Sequence, residues 1–177
     1  SCSELETERL LLFFTFLPNG VYRMDLCMKH IFSSGNLGVV KTEGDIMTII
    51  LLPRSFCNGD LEKQFSEICY WGKIAGFTNF SKELTCPPWL TDNPEEVEII
   101  KTWSECFTKI TNQYTIPQKD PGGLEPSMII QKNPQLKNHA VSVGPRIWDE
   151  HTKKERTQVK SINTFFKVLL LTLKEIK

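Results

Sequence analysis

The stretch Phe16-Leu-Pro-Asn-Gly-Val-Tyr22 separates two strongly apolar runs and limits what the first third of the chain can become. Asn-Gly ordinarily marks a two-residue type I′ hairpin loop, but that register would make Pro18 a hydrogen-bonded closing residue, and proline has no N–H to donate. A three-residue loop avoids the conflict, with Pro18 and Asn19 in a type I turn and Gly20 left-handed. Leu17 then faces Val21, and the pairs Phe16/Tyr22, Phe14/Met24, Leu12/Leu26 and Leu10/Met28 share one apolar face. A one-residue slip would set Arg23 and Asp25 against Phe16 and Phe14, so the turn and the period-2 pattern agree on a hairpin. The competing reading is a helix from Glu4 to Leu17, favoured by the capping-box pattern Ser3-x-x-Glu6.

Beyond Phe32 the chain reads as a loop at 33–36, a short strand at 37–41, a turn at 42–45 and an apolar β-branched strand at 46–52. Four sequential strands over residues 9–53 imply an antiparallel meander. After Pro53 the period changes to helical, and three helices are expected, at about 60–71, 94–112 and 152–176. The first carries Leu61, Phe65, Ile68 and Cys69 on one stripe and ends near Gly72. The second starts at Asn93-Pro94-Glu95-Glu96, with a cap, a proline at the first position and acids facing the positive end of the dipole. The third opens at the capping-box pattern Thr152-x-x-Glu155 and carries Val159, Ile162, Phe166, Leu169, Leu173 and Ile176 on its stripe. Residues 128–130 and 140–143 read as weak strands. The long segment 73–91, with Phe77, Phe80, Cys86-Pro-Pro-Trp89 and Leu90, is too apolar to float and is expected to pack on the domain. The expected fold is therefore a single α+β domain over 1–177, with the Pro/Gly loop 114–127 as its flexible segment or sub-boundary.

With 177 residues, 40% of them hydrophobic, the chain is long enough to be stabilised by its core alone. No apolar run reaches the roughly 18 residues of a membrane span. The chain opens Ser-Cys-Ser, without Met, basic segment or apolar signal core, as a trimmed or processed form would. Its six cysteines form no CxxC pair, which removes the usual zinc and redox motifs. Cys69 and Cys106 fall on apolar stripes, where a free thiol behaves as a small hydrophobe. An intracellular, reducing compartment is preferred to a secreted one on this ground, although Asn79-Phe80-Ser81 is a glycosylation sequon. Charge is uneven: residues 1–131 hold 11 basic and 17 acidic side chains, and residues 132–177 hold 10 and 4. A basic C-terminal part lying against an acidic remainder explains this better than nucleic-acid binding through residues 132–177, since no aromatic-interleaved motif accompanies it.

Catalytic signatures are sparse. Gly122-Gly123 and Gly35-Asn-Leu-Gly38 make no phosphate loop, and no GxSxG elbow is present. His30 continues the apolar face of its strand opposite Glu8, which reads as a core or edge histidine before it reads as an acid–base pair. His139 falls in a polar loop. His151, beside Asp149 and four residues before Glu155, could share a metal with them, but two or three such ligands without a further His or Cys make a weak case. No catalytic residue, cofactor or metal is assigned. The leading expectation is a non-catalytic protein–protein interaction module, an adaptor or complex subunit that binds another protein chain. Its surface would be the aromatic loop at Trp89 and Leu90 and the C-terminal helix, through Phe165, Leu170 and the ridge Lys160, Lys167 and Lys174. The alternatives are a secreted, disulfide-bonded ligand or immune-type recognition domain, and a small-ligand carrier or enzyme with a pocket between sheet and helices.

Overall fold

Helix α1 (Glu4–Phe16) occupies the apolar run expected to form the first strand. Its start is fixed by both halves of a capping box: Ser3 Oγ accepts from the Glu6 N–H at 3.3 Å, and a Glu6 carboxylate oxygen accepts from the Ser3 N–H at 2.7 Å. Phe13 is 3% exposed and Leu17 is buried, with Leu10 half-buried on the same side, so the helical period of the run is the one that packs. Pro18 stops the helix instead of shaping a hairpin. Its ring disfavours helical geometry at Leu17, which caps the helix in extended conformation at φ −61°, ψ 133°. Gly20 is left-handed as the turn argument required, at φ +96°, but it opens a strand that leaves the helix behind. The expected pairs of Leu12 with Leu26 and Leu10 with Met28 fall partly on residues outside the described ones.

The computed structural model describes residues 3–25, 27, 30–83, 87–91, 93–121 and 124–176. They fall into two compact units, residues 1–90 with 119–127, and residues 91–118 with 128–177. Among the described residues, five helices and antiparallel sheets make an α+β mixture, as the sequence implies.

In the first unit, β1 (Gly20–Asp25) pairs antiparallel with β2 (His30–Gly35), with irregular register around Arg23. β3 (Leu37–Glu43) and β4 (Ile46–Leu51) form a hairpin closed at Gly44-Asp45, with Gly44 at φ +59°. β5 (Arg54–Ser55) returns beside β2, and reciprocal bonds between Asn36 and Leu52 (3.2 and 2.8 Å) carry the ladder between the two sheets. The strands between residues 20 and 55 thus follow one another as a meander that begins eleven residues later than the expected start at residue 9. Helix α2 (Asn58–Ala75) runs through Gly72 and stops at Gly76, left-handed at φ +96°. Gly72 is small for packing: a Cβ there would stand 2.6 Å from the Phe80 ring. α1 lies on α2, with Phe16 stacked on Trp71 at 4.5 Å and Phe13 against Phe77 at 5.3 Å.

In the second unit, Pro94–Glu96 forms a 3₁₀ turn and α3 (Glu98–Thr111) follows. Asn93 does not cap α3, which begins four residues beyond the 94 expected and has Val97 in its cap position; the Asn93 side-chain amide donates to Glu96 at 3.2 Å. α4 spans Glu125–Lys132 and takes in residues 128–130, where a weak strand is expected; residues 140–143 are likewise not a strand. A small ladder joins β6 (Ile147–Trp148) to β7 (Arg156–Thr157), and α5 covers Val159–Glu175. α5 packs on α3 through Phe165, whose ring meets Trp103 at 5.7 Å, and through Val168, which is 0% exposed. Thr172 can be buried on this face because its hydroxyl donates to the Val168 carbonyl at 2.9 Å. The face that packs is therefore Phe165/Val168/Thr172 and not the expected stripe, which stands open, with Val159 73% exposed and Ile162, Phe166 and Leu173 also exposed. Among the described residues, no helix is long and apolar enough to cross a membrane.

Candidate functional site

The segment Trp148-Asp-Glu-His151 lies at the tip of the β6–β7 hairpin, where Ile147 faces Thr157 and Trp148 faces Arg156. Residues 152–158 are not helical, contrary to the expected helix over 152–176. Thr152-Lys-Lys-Glu-Arg-Thr157 contains no apolar side chain, so a helix there would have no face to bury. The capping-box residues close the hairpin loop instead. Thr152 donates to the Asp149 carbonyl through both its N–H (3.2 Å) and its hydroxyl (2.7 Å), and that hydroxyl accepts from the Lys154 N–H at 3.1 Å. Glu155 accepts from the His151 N–H at 2.8 Å. These bonds hold Asp149 and His151 in the left-handed region, at φ 54° and 63°, a conformation that Asp and His tolerate better than most residues. His151 stands exposed on this loop.

Two guanidinium groups flank Trp148, those of Arg146 and Arg156, each 5.6 Å from the indole. Arg156 is also ion-paired with Asp149. The Arg146 backbone is fixed at both ends: its N–H donates to Ser161 Oγ at 3.0 Å, and its carbonyl accepts from Thr157 Oγ1 at 2.8 Å and the Gln158 N–H at 3.3 Å. The expected association of His151 with Asp149 and Glu155 is therefore one of neighbours whose carboxylates are already used, by Arg156 and by the His151 backbone. Among the described residues, no three His, Cys, Asp or Glu side chains group closely enough to hold a metal ion.

A second polar cluster lies where α2 meets the sheet. Asp60 accepts from Arg23 Nε at 2.8 Å, from Ser33 Oγ at 2.8 Å and from Ser55 Oγ at 3.4 Å. Burial by itself would raise the Asp60 carboxyl, but the bonds from Arg23 and Ser33 outweigh it and hold it below its ordinary range. One turn on, Gln64 is fully buried, with neither side-chain polar atom hydrogen-bonded among the described residues. Tyr22 donates to Glu67 at 3.0 Å, and burial followed by that bond pushes its hydroxyl up to about 12. These contacts tie α2 to β1, β2 and β5.

The other candidates are dispersed. His30 faces Asp25 across the ladder and meets the Phe56 ring at 5.6 Å, with its Nε2 buried and unbonded among the described residues, while Glu8 is exposed on α1. Trp89 and Leu90 are half-buried in the loop after α2, and Cys86 lies outside the described residues. Phe165 is taken up by its contact with Trp103; Leu170, Lys160, Lys167 and Lys174 are exposed along α5. Cys27, Cys57, Cys69 and Cys106 are free thiols. The meeting of Arg146 and Arg156 over Trp148 is not foreseen by a helix that opens at Thr152. The absence of apolar residues over 152–157 was the available signal.

No protein-family model matches the chain. It is 30% identical over 162 residues, 90% of its length, to the cytosol non-specific dipeptidase of Escherichia coli (strain K12), of which it covers 32%. It also resembles the crystal structure of aminoacylhistidine dipeptidase from Vibrio alginolyticus, with a TM-score of 0.67 at 24% identity, over 99% of this chain and 35% of that one. This second likeness shows the fold. The chain thus spans about a third of the length of the proteins it matches. Both are enzymes by name, and this overturns the expectation of a non-catalytic, non-enzymatic interaction module or complex subunit. An apolar helix face and missing catalytic motifs are weak grounds for such a role when matching proteins of three times the length are peptidases. The enzyme alternative is the better supported of the readings.

Proposed function

We propose that this chain acts in the hydrolysis of dipeptides, as the part of a dipeptidase-type enzyme to which its sequence corresponds. The observation that carries the reading is the 30% identity to a dipeptidase along 90% of the chain. The hairpin tip supports it locally. Hydrolysis adds water across one amide bond and needs a group that passes a proton between water, the tetrahedral intermediate and the departing amine. His151 is an exposed imidazole on a loop braced by four side-chain hydrogen bonds and held in left-handed backbone geometry, a constraint that often accompanies function.

The test is release of free amino acids from a panel of dipeptides, followed by amine derivatisation and mass spectrometry. The protein is expected to cleave at least one dipeptide, and His151→Asn, which tolerates the same backbone, is expected to lower kcat by about 100-fold or more. A protein that neither cleaves nor binds any dipeptide in the panel would overturn the proposal. Unchanged kcat in the variant would remove His151 from it.

A further inference from the structure

Asn-Gly occurs twice in the chain, at Asn19-Gly20 and at Asn58-Gly59. In an open chain this dipeptide readily loses its side-chain amide, because glycine sets no Cβ in the way as its nitrogen approaches the asparagine Cγ. The fold treats the two sites differently. Asn58 is the first residue of α2 and Gly59 the second, so turning the Gly59 nitrogen toward Cγ would undo the first turn of the helix and displace Asp60 from Arg23 and Ser33. Asn19 belongs to no helix or strand. It stands exposed between the end of α1 and the first residue of β1, and nothing lies within 4 Å of the position a Gly20 Cβ would take. Gly20 is also the terminal pair of the β1–β2 ladder, whose register breaks after Val21, so it can open without the rest of the sheet.

The Asn19 side chain also meets a donor. Its Oδ1 accepts from the Leu37 N–H at 2.9 Å, inside the roughly 2.7–3.1 Å expected of a group that stabilises an oxyanion. Leu37 is held in place by its pairing with Leu51 and by the reciprocal bonds between Asn36 and Leu52. A hydrogen bond to an oxygen that gathers charge strengthens as the charge forms.

We propose that Asn19 is a site of self-modification, at which the fold promotes loss of the side-chain amide with water as the co-reactant. Gly20 N attacks Asn19 Cγ and gives up its proton to solvent, while negative charge collects on Oδ1 against the Leu37 N–H. The Cγ–Nδ2 bond then breaks, Nδ2 takes up a proton and leaves as ammonia, and a cyclic imide remains. Water opens the ring at Cγ to give aspartate with the ordinary backbone, or at the backbone carbonyl to give isoaspartate, in which the chain runs through Cγ. Nothing is oxidised or reduced. Each product puts a negative charge on the turn. Isoaspartate also adds a carbon to the backbone beside Pro18, whose carbonyl oxygen already sits where a Gly35 Cβ would be only 2.0 Å away. The inference does not depend on dipeptide hydrolysis.

The test keeps the intact protein in mildly alkaline buffer, folded in one arm and in concentrated urea in the other. Both dipeptides are followed by peptide mass mapping and by methyltransferase labelling of isoaspartate. Dividing each folded rate by the rate of the same site in urea removes the effect of the flanking residues. That ratio should be at least about 10-fold higher for Asn19 than for Asn58, and at Asn19 folding should not slow the reaction. Equal ratios at the two sites, or a higher one at Asn58, would overturn the proposal. So would an Asn19 rate that folding lowers, since the Leu37 contact would then protect the amide. No variant has to fold for any of these outcomes to be read.

Discussion

Replacing Asp60 by alanine tests whether the polar cluster under α2 stabilises the first unit. The carboxylate accepts three hydrogen bonds, and the loss differs for each donor. Ser33 is 0% exposed and would lose its bond at 2.8 Å, leaving a buried hydroxyl unpaired at a cost of about 1 to 3 kcal/mol. Ser55 loses only a long 3.4 Å contact and keeps the Cys57 N–H as a donor to its oxygen at 3.1 Å, so it adds little. Arg23, with about half of its side chain in solvent, is rehydrated when freed, and its pair is worth no more than about 1 kcal/mol. The sum is about 1 to 4 kcal/mol, read by urea denaturation followed by circular dichroism. Asp60→Ala combined with Ser33→Ala should recover at least about 1 kcal/mol of the loss, because removing both partners of a buried bond leaves nothing orphaned. The pH dependence gives a separate check. The folded carboxyl titrates below its unfolded value, so its contribution is complete above the ordinary carboxylate range and is lost as pH falls through the folded value. Asp60→Ala should therefore show a shallower acid limb of stability. A loss below about 1 kcal/mol, with no recovery in the double variant, would refute the assignment.

Two further outcomes follow from the same unit. In Tyr22 the folded hydroxyl is raised to about 12 against an ordinary 10.0, so its contribution is complete below pH 10 and drains away as pH climbs toward 12. Tyr22→Phe should cost about 1 kcal/mol at neutral pH and flatten that alkaline limb, measured by denaturation between pH 7 and about 12. Gly35→Ala would place a Cβ 2.0 Å from the Pro18 carbonyl oxygen, which is backbone and cannot rotate aside. It should cost at least about 2 kcal/mol, and a thermal midpoint unchanged from that of the parent protein would show that the turn after α1 yields freely.

The same residues supported both a right and a wrong account of the first 25 positions. Leu10 to Leu17 is almost wholly apolar, and such a run satisfies period 2 and period 3.6 equally, so the pattern alone could not choose. Pro18 and Gly20 were read correctly as a change of direction and a left-handed residue, but a helix stop requires both as much as a hairpin does. What decides is Ser3 and Glu6, whose reciprocal bonds satisfy the first N–H groups of a helix. The strands expected at 37–41 and 46–52 were legible because apolar, β-branched runs flank a turn signal at 42–45; the ladder carries them to 37–43 and 46–51 and narrows the turn to Gly44-Asp45. α2 and α3 were legible from their apolar periodicity. Their ends were less so, since Gly72 is small for the sake of Phe80 and only Gly76 terminates.

The candidate site shows the limit of local pattern in another way. Thr152-x-x-Glu155 forms its own hydrogen bonds, but in a hairpin loop, because a capping box selects the residues that satisfy backbone donors and is silent on whether a helix follows. The decision belongs to the six residues 152–157, which offer no apolar side chain, and to Trp148 and Arg156, which face each other across the ladder. Once that hairpin forms, Arg146 and Arg156, ten positions apart in sequence, come to the same indole, and a reading confined to one periodic segment could not have joined them. His151 was singled out from the start as a weak metal ligand. Its neighbours Asp149 and Glu155 instead spend their carboxylates on Arg156 and on the His151 backbone, which turns an apparent ligand trio into a braced loop that carries an exposed imidazole.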